Sequence, residues 1–386
     1  MLPRRVPSSL TSWGARNRVY WQPRGVILIV SPWNYPFQLG IGPLISAIAA
    51  GNAVCLKPSE HSPATSKILE RVIQETFPPD EVAVVLGGPE TAQQLTKLPF
   101  DHVIFTGSTR VGSAVMTAAA ANLTSVTLEL GGKSPAIIGP GFNLKRAAER
   151  IVWGKFLNAG QTCVAPDYVL VRKEDEQNLL GEMVSACQRR WPSINPSEPP
   201  ADYCRIINQH HYDRLTGMLE EGLSSGAELV SGGNGDRAGL WLEPTLLRRV
   251  PEHCRVLNEE IFGPILPVVG YDDLSQAIDF VRAKPAPLAL YIFSRDEPSI
   301  EKVLRNTRAG DTVINDVLVH FANPRLPFGG VGPSGQGKLH GRYGFEACSH
   351  QRTVMRQGPI SPSAWISPPY TPRVQRLIRW FLKLGG

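Results

Sequence analysis

The sequence predicts an α/β fold, and three of its features lead to that class. Short runs such as 26–30 are apolar throughout and lack the alternation of half-buried strands. A helix-forming segment follows each of these runs. Gly25 and Pro32 mark the boundaries of the run at 26–30. Strands that are apolar on both faces are typical of parallel sheets covered by helices. Their alternation with helices predicts a doubly wound, Rossmann-like sheet.

The elements follow this rule along the chain. Strands are predicted at 26–30, 53–56, 82–85 and 102–105, with helices after the first strand and at 63–75, 89–96 and 110–121. A second α/β unit begins near residue 131, with a helix at 144–156, a strand at 168–171 and further units through 315. We therefore expect the functional residues at the boundary of two domains.

The composition is that of a globular protein. Its 386 residues are 42% apolar and 19% charged, enough for two or three domains with buried cores. Six cysteines show neither metal-ligand spacing nor a disulfide framework, which predicts no metal site and a reducing, cytoplasmic location. The formal charge of +6 is concentrated at the two ends and gives little support to nucleic-acid binding. No apolar run reaches the ~20 residues that cross a bilayer.

The C-terminal stretch predicts an amphipathic helix that begins at Pro372. One side of this helix is apolar and comprises Val374, Leu377, Ile378, Phe381 and Leu382. The basic residues lie off that stripe and comprise Arg373, Arg376, Arg379 and Lys383. Such a helix packs on the protein or lies on a membrane surface, so peripheral membrane contact through 373–386 is one expectation.

Cys163 is the leading candidate for a reactive group. It ends the segment Gly-Gln-Thr-Cys, after a small-residue turn at 158–160. A reactive thiol needs such an accessible loop, with donors that stabilise the thiolate. An isolated cysteine is more often a buried structural residue. Two partner segments, at 32–36 and 129–133, favour the reactive interpretation.

Asn34 lies in the unusual segment Pro-Trp-Asn-Tyr-Pro at 32–36. Attack of a thiolate on a carbonyl carbon creates an alkoxide, which needs preorganised donors such as the Asn34 amide and the Cys163 N–H. An Asn beside Pro more commonly only fixes a turn. The length of the segment favours the oxyanion role.

Glu129 ends an apolar-alternating run and precedes two glycines in Glu-Leu-Gly-Gly-Lys. A thioester on a cysteine needs a base that activates water for hydrolysis. A carboxylate at the end of a strand would project into a cleft, where burial raises its pKa. The alternative is that Glu129 is a solvated carboxylate at the end of a strand. The Glu-Leu-Gly-Gly-Lys context favours the base over this alternative.

Together these three segments, in this order, resemble the aldehyde dehydrogenase superfamily. Segments typical of its class 3 branch, which includes fatty and aromatic aldehyde dehydrogenases, occur at 153–156, 164–168, 315–317, 326–332 and 369–372. The resemblance spans about 19–384. It implies the aldehyde dehydrogenase fold and NAD(P)-dependent oxidation of medium- to long-chain aliphatic or aromatic aldehydes, through a thiohemiacetal and a thioester.

Cofactor residues are expected in three places. Gly107 and Ser108 lie between an apolar strand and a helix, where N-terminal amides can receive a pyrophosphate, although no GxGxxG fingerprint is present. The resemblance adds Lys57 and Glu60 as adenosine-ribose contacts. Because the charge of Glu60 disfavours a 2′-phosphate, NAD is the expected cofactor, with NADP as the alternative. The resemblance also implies contacts from Trp33, Glu260 and Phe262.

The resemblance implies an apolar aldehyde tunnel. Its expected lining residues are Tyr35, Leu39, Trp153, Thr162, Phe321, Phe328 and His340. Ordinary core packing is the alternative for each of them. Their apolar character favours medium-to-long aliphatic or aromatic substrates over small polar ones.

The expected organisation has four parts. These are a truncated bridging segment at 1–25, a cofactor domain at 26–130, a catalytic domain at 131–325 whose 255–265 loop returns to the cofactor, and a bridging segment with the C-terminal helix at 326–386. The resemblance implies a small oligomerisation element and a homodimer formed by strand exchange. Class 3 enzymes carry N-terminal helices before the first strand, and we expect their absence here to expose apolar surface, as in a truncated gene sequence.

The same residues are compatible with two other functions. Acyl transfer to CoA or phosphate would use the same thioester, but Glu129 as a hydrolytic base favours water as the acceptor. A catalytically silent relative with a binding or structural role is the alternative outside enzymes. Retention of Asn34, Glu129 and Cys163 together argues against it, because only the chemistry requires all three.

Overall fold

Two large sheets, a three-stranded antiparallel sheet and a two-stranded antiparallel sheet organise the described part of the chain in the computed structural model. The structure describes residues 2–9, 12–192, 202–359 and 361–384. The strands are β1 (Arg4–Val6), β2 (Arg16–Pro23), β3 (Val26–Val30), β4 (Ala53–Lys57), β5 (Val82–Val84), β6 (His102–Thr106), β7 (Ser125–Glu129), β8 (Pro135–Ile138), β9 (Tyr168–Arg172), β10 (Glu228–Ser231), β11 (Gly235–Asp236), β12 (Trp241–Leu242), β13 (Thr245–Arg248), β14 (Ile265–Tyr271), β15 (Ala289–Phe293), β16 (Asp311–Ile314), β17 (Gly335–Gln336) and β18 (Ser349–Arg356).

Helices connect most of these strands. They are α1 (Pro36–Ala49), α2 (Pro63–Thr76), α3 (Pro89–Leu95), α4 (Thr109–Ala120), α5 (Leu144–Phe156), α6 (Lys173–Arg190), α7 (Gln209–Ser224), α8 (Arg255–Asn258), α9 (Leu274–Arg282), α10 (Glu297–Asn306), α11 (Gly341–Ala347), α12 (Pro362–Trp365) and α13 (Pro372–Leu384).

The first large sheet has the order β17-β7-β6-β3-β4-β5. All neighbours are parallel except β17, which pairs antiparallel with β7. Strand order reverses at β3 and β6, and ligands of doubly wound sheets bind where the order reverses, at the carboxyl ends of the strands. The predicted α/β alternation is therefore confirmed, and the pairing of β17 was not foreseen.

The second large sheet has the order β10-β13-β14-β9-β8-β15-β16. Its strands are parallel apart from β10, and β8, β9 and β15 are wholly apolar and buried at their centres. Helices α5 and α6 pack on one face, where Ile151, Phe156 and Met183 contribute to the core. This sheet is the second predicted α/β unit.

Local signals explain where key helices begin. The Ser108 side chain accepts the Val111 N–H at the start of α4, and the Asn143 side chain accepts the Arg146 N–H at the start of α5. A side-chain oxygen at this position satisfies a donor that the helix itself leaves free. Pro36 occupies the first position of α1, where its missing N–H costs no helical bond.

The ends of the chain form smaller elements. Strands β1, β2 and β18 make an antiparallel sheet with β18 along one edge. The predicted C-terminal helix is present as α13, in which Phe381 is buried while Trp380 and Leu382 are exposed. Positions 385 and 386 of its predicted range lie outside the described residues. Within the described ranges, no helix combines the length and apolarity needed to cross a membrane.

Candidate active site

The carboxyl ends of the first sheet bring four predicted segments into register. Val30 at the end of β3 is paired with Lys57 on one side and Phe105 on the other, and Thr106 is paired with Glu129. The 32–36 segment therefore begins beside the 107–108 turn and the end of β7. This edge carries the predicted base, the oxyanion donor and part of the predicted cofactor set.

The amino ends of the second sheet face this edge and carry the remaining segments. Lys133 precedes β8, Cys163 precedes β9, and the 259–264 loop precedes β14. Because β8, β9 and β14 are close neighbours in the sheet, the loops that enter them lie together. We call the meeting place of the two edges the junction.

Left-handed backbone shapes the loop that carries the thiol. Asn158 and Ala159 both have φ of 51°, and Gly160 follows at 74°. A Cβ on Gly160 would lie 2.2 Å from the carbonyl oxygen of Gly263, so only glycine fits there. The loop therefore packs closely on the 259–264 segment. Its left-handed backbone conformation costs conformational energy at Asn158 and Ala159, which are not glycine.

Hydrogen bonds join the 32–36 segment to the thiol loop. The Asn34 amide donates to the Gln161 carbonyl over 3.0 Å, and the Asn158 amide donates to the Asn34 carbonyl over 3.0 Å. The Tyr35 hydroxyl and the Thr162 hydroxyl share a 2.8 Å hydrogen bond. The predicted oxyanion donor is thus held against the residues that immediately precede Cys163.

Cys163 is half-buried, and its thiol is protonated at neutral pH. Burial raises the pKa of Cys163 to about 12, with the carboxylates of Glu260 and Glu129 adding to the effect, while the N–H groups of Cys163 and Val164 oppose it. A thiolate is the nucleophile, so the thiol must transfer its proton before or during attack.

Glu129 is a buried carboxyl group at the end of β7. Within the described part of the chain, neither of its side-chain oxygens has a hydrogen-bond partner. Burial raises the pKa of Glu129 well above its ordinary value; Lys338 opposes this effect and Asp311 adds to it. An unpartnered carboxyl with a raised pKa is typical of a general base or acid.

Glu260 contacts the chain that follows β7. A Cβ on Gly131 would lie 2.0 Å from a Glu260 side-chain oxygen, and the Gly132 N–H donates to that carboxylate. Burial and Asp167 raise the pKa of Glu260 to about 7. Glycine at 131 therefore makes room for the Glu260 side chain at the junction.

Groups that fit a dinucleotide lie along the first-sheet edge. Lys57 and Glu60 form a 2.8 Å ion pair. Burial would raise the pKa of Glu60, but Lys57 and a backbone N–H outweigh it and keep the carboxylate ionised. Ser108 caps α4, and the first turn of that helix contains no acidic residue that would repel an anion. These donors and acceptors match a pyrophosphate and a ribose.

Aromatic rings flank the other side of the junction. Trp33 lies edge-on to Phe262, with ring centroids 5.5 Å apart. His211 lies against the same Trp33 ring at 5.4 Å, and its Nδ1 is buried without a partner among the described residues. Burial lowers the pKa of His211 to about 4, so it is neutral at physiological pH. Sequence reasoning missed His211, which has no motif of its own.

Several of the predicted tunnel residues belong to one apolar core cluster or pack against it. Trp153, Cys163 and Phe321 are partly buried and pack against the core cluster that contains Phe328. His340 stacks on Phe328, with centroids 4.9 Å apart and an interplanar angle of 12°. Leu39 is half-buried one turn after Tyr35 in α1. The tunnel role of Leu39 stays a prediction.

Two buried lysines and an aspartate were also missed. Lys133 and Lys155 both contact Asp167 below the junction. A lysine in a helix ordinarily indicates a solvated face, so α5 gave no signal of a fully buried Lys155.

Comparisons with known proteins decide the family. A model of the aldehyde dehydrogenase family matches residues 2–354. The chain belongs to the aldehyde dehydrogenase family. It is 46% identical to a probable coniferyl aldehyde dehydrogenase of Pseudomonas aeruginosa, over 98% of this chain and 79% of that protein. It is 45% identical to aldehyde dehydrogenase family 3 member A2 of Mus musculus, over 87% of this chain and 68% of that protein.

Solved structures of aldehyde dehydrogenases share its fold. The substrate-bound Staphylococcus aureus AldH matches with a TM-score of 0.92 and 43% identity, over 98% of this chain and 82% of that one. A Mycobacterium tuberculosis aldehyde dehydrogenase complexed with NAD+ matches with a TM-score of 0.83 and 32% identity, over 92% and 73%. The predicted fold and enzyme class are confirmed, and the roles of individual residues in this aldehyde dehydrogenase stay predictions.

Proposed function

We propose that this aldehyde dehydrogenase uses NAD to oxidise medium- to long-chain aliphatic or aromatic aldehydes to carboxylic acids, through covalent intermediates on Cys163. One observation carries the proposal: Asn34 is hydrogen-bonded to the loop of Cys163 while Glu129 lies buried nearby without a partner among the described residues. A thiol, an amide donor and a free carboxylate at one junction are the groups that covalent aldehyde oxidation requires.

The first step forms a covalent bond to sulfur. Cys163 gives its proton to a base at the junction, for which Glu129 and Glu260 are the nearby carboxylates. The Cys163 sulfur bonds to the aldehyde carbon, and the carbonyl oxygen becomes an alkoxide. The Asn34 side-chain amide and the Cys163 N–H donate to that oxygen, which stabilises the negative charge as it develops.

Oxidation requires the cofactor and leaves a thioester. NAD, when bound, accepts a hydride from the carbon attached to sulfur. Glu260 and Phe262 would hold the nicotinamide end against the thiol loop, and Lys57, Glu60 and Ser108 would hold the adenosine and pyrophosphate end. An ionised Glu60 accepts hydrogen bonds from a ribose and repels a 2′-phosphate, which supports NAD over NADP.

Hydrolysis completes the reaction. Glu129 takes a proton from water, the water oxygen bonds to the thioester carbon, and the carbon–sulfur bond breaks to release a carboxylic acid and Cys163. A carboxylate whose oxygens lack hydrogen-bond partners in the described part of the chain is free to accept that proton. Water is therefore a better acceptor here than CoA or phosphate, neither of which needs a base in this position.

The predicted substrate class rests on the aromatic lining. Trp153, Phe321 and Cys163 pack against the core cluster that contains Phe328, and His340 stacks on Phe328, so aromatic surfaces adjoin the same cluster as the thiol. Such surfaces stabilise aromatic rings and aliphatic chains and give little to small polar aldehydes. The names of the relatives, a coniferyl aldehyde dehydrogenase among them, agree with this class.

We propose that the chain has the four parts expected from its sequence, with boundaries at 25, 130 and 325, and that it forms a homodimer. Two sheet edges support the dimer: β18 lies along the edge of the small sheet, and β16 lies along the edge of the second large sheet. Open edges are templates for pairing with another chain. Sedimentation should give twice the chain mass of 42.2 kDa, and a mass equal to one chain would contradict the dimer.

Peripheral membrane contact through α13 is a further part of the proposal. Its basic residues are exposed, and so are the apolar Trp380 and Leu382 beside them. Deletion of 373–386 should abolish sedimentation with anionic vesicles while leaving the soluble fraction folded. Equal binding of both forms would contradict this contact.

The function is tested by following reduced-nicotinamide absorbance. The native enzyme and its Cys163→Ala variant should be compared with NAD or NADP and with aldehydes from acetaldehyde to long-chain and benzaldehyde. We expect turnover with NAD that is highest for the larger apolar aldehydes and absent in the variant. No turnover by the folded native chain would instead support the catalytically silent alternative.

A further inference from the structure

An ion cluster of Lys133, Lys155 and Asp167 lies buried beneath the junction. Asp167 accepts from Lys133 at 2.6 Å and from Lys155 at 3.3 Å. Lys155 is fully enclosed, and the other two side chains are 4% exposed. Burial would raise the pKa of Asp167, but the two ammonium groups outweigh it and keep the carboxylate ionised.

The cluster forms hydrogen bonds with the main chain on both sides of Glu260. Lys133 donates to the carbonyls of Val256 and Glu259, at 2.9 and 3.0 Å. The Ile261 N–H donates to both carboxylate oxygens of Asp167, at 3.2 and 3.3 Å. Residues 259 and 261 are therefore fixed by the cluster, while residue 260 between them turns its side chain toward Gly131.

The cluster also joins the three segments that carry the chemistry. Lys133 lies four residues after Glu129, and Asp167 lies four residues after Cys163. Glu260 lies in the 259–264 loop, to which the cluster is hydrogen-bonded. Buried ion pairs are weak sources of stability, since apolar replacements are often as stable. A cluster of this kind at a junction is better explained by the geometry that it imposes on the main chain around Glu260.

We propose that Asp167 is a positioning residue that, together with Lys133 and Lys155, fixes Glu260 at the junction and thereby sets the affinity for NAD. This inference rests on the cofactor role proposed above for Glu260. Asp167 does not touch the reacting atoms; it acts through the 259–264 loop.

Asp167→Asn tests the role, with Asp272→Asn as the matched control. Asp272 forms an exposed ion pair with Lys173 at 2.7 Å, so its replacement makes the same chemical change at the surface. Two readouts are needed: the NAD dissociation constant by calorimetry, and cofactor-free hydrolysis of p-nitrophenyl acetate, which reports the thiol and its base alone. Lys133→Met is the second variant, because Asp167 then keeps Lys155 as a counter-ion if the first variant does not fold.

We expect Asp167→Asn to weaken NAD binding by about tenfold or more and to reduce ester hydrolysis by less than about threefold. Lys133→Met should give the same pattern, and Asp272→Asn should match the native enzyme in both readouts. Unchanged NAD affinity in a folded Asp167→Asn or Lys133→Met enzyme, or equal losses in both readouts, would overturn the positioning role. If the native chain neither binds NAD nor hydrolyses the ester, the proposed function itself fails.

Discussion

The side-chain amide of Asn34 donates to the main-chain carbonyl of Gln161 across 127 residues of sequence. This bond, with the Tyr35–Thr162 hydroxyl contact beside it, connects the carboxyl edge of the first sheet to the loop that carries Cys163. An amide has two N–H groups, so Asn34 can hold the loop with one and donate to a developing alkoxide with the other. The same residue therefore has a structural and a proposed catalytic task.

Comparison of an Asn34 variant with a Tyr35 variant separates these tasks. Asn34→Ala removes the proposed oxyanion donor, and we expect kcat to fall by about 10²- to 10³-fold. Tyr35→Phe is the matched control, because it removes only the neighbouring hydroxyl contact and keeps the amide. Steady-state kinetics of both variants measure the two losses in kcat. If kcat falls by a similar factor in both variants, catalysis depends on the hydrogen bonds between the 32–36 segment and the thiol loop rather than on the amide donor.

Glu129 should lower the stability of the fold. Its folded-state pKa is raised above the ordinary 4.5, so the unfolded chain releases this proton first as pH rises. The native enzyme then loses stability between about pH 4.5 and its raised pKa, and the loss persists above it. Thermal unfolding should give a higher Tm for Glu129→Gln at pH 8 and a shrinking difference toward pH 4.5. A lower Tm for the variant at pH 8 would contradict a buried, unpartnered carboxylate.

In the absence of cofactor, the rate of Cys163 alkylation should keep rising with pH and reach no plateau. Because the pKa of the thiol is raised to about 12, the rate with iodoacetamide should rise about tenfold per pH unit from pH 7 to 10. Peptide mass spectrometry distinguishes Cys163 from the exposed Cys204. A rate that levels off near pH 7 would indicate a thiolate already stabilised in the free enzyme.

Gly160 provides a test of the thiol loop. Gly160→Ala puts a Cβ 2.2 Å from the Gly263 carbonyl oxygen at a φ of +74°, and we expect a loss of about 2 kcal/mol or more in unfolding free energy. Gly141→Ala is the control, because Gly141 has a φ of +70° with open space around it. It should lose about 1 kcal/mol, the cost of the backbone alone. Equal losses in urea titrations would mean that the close approach to Gly263 is unimportant.

Sequence reasoning succeeded where the signal was local. The run at 26–30 is apolar throughout because both faces of β3 are covered, and α5 occupies the predicted range 144–156 because its apolar face and its Asn143 cap lie within one segment. Asn34, Glu129 and Cys163 each lie in a short, unusual segment, so the residue types and their neighbours along the chain are enough to propose a role for each.

The rest depended on contacts that no single segment reveals. Lys133 and Asp167 are 34 residues apart and meet only because β8 and β9 are adjacent. Lys155 lies in a helix, where a lysine ordinarily indicates solvent. Ala159 has no property that predicts its left-handed backbone. Burial and tertiary packing, rather than residue type, determine these features.

The covalent role of Cys163 is tested most directly by trapping the acyl group on its sulfur. Glu129→Gln should form the thioester and hydrolyse it slowly, because the amide cannot take a proton from water. The variant is mixed with NAD and benzaldehyde, quenched in acid, and analysed by intact-protein and peptide mass spectrometry. We expect a benzoyl group on the Cys163 peptide that requires NAD and is absent after Cys163→Ala. An acyl group on another residue, or reduced nicotinamide formed without any adduct, would contradict the covalent role of Cys163.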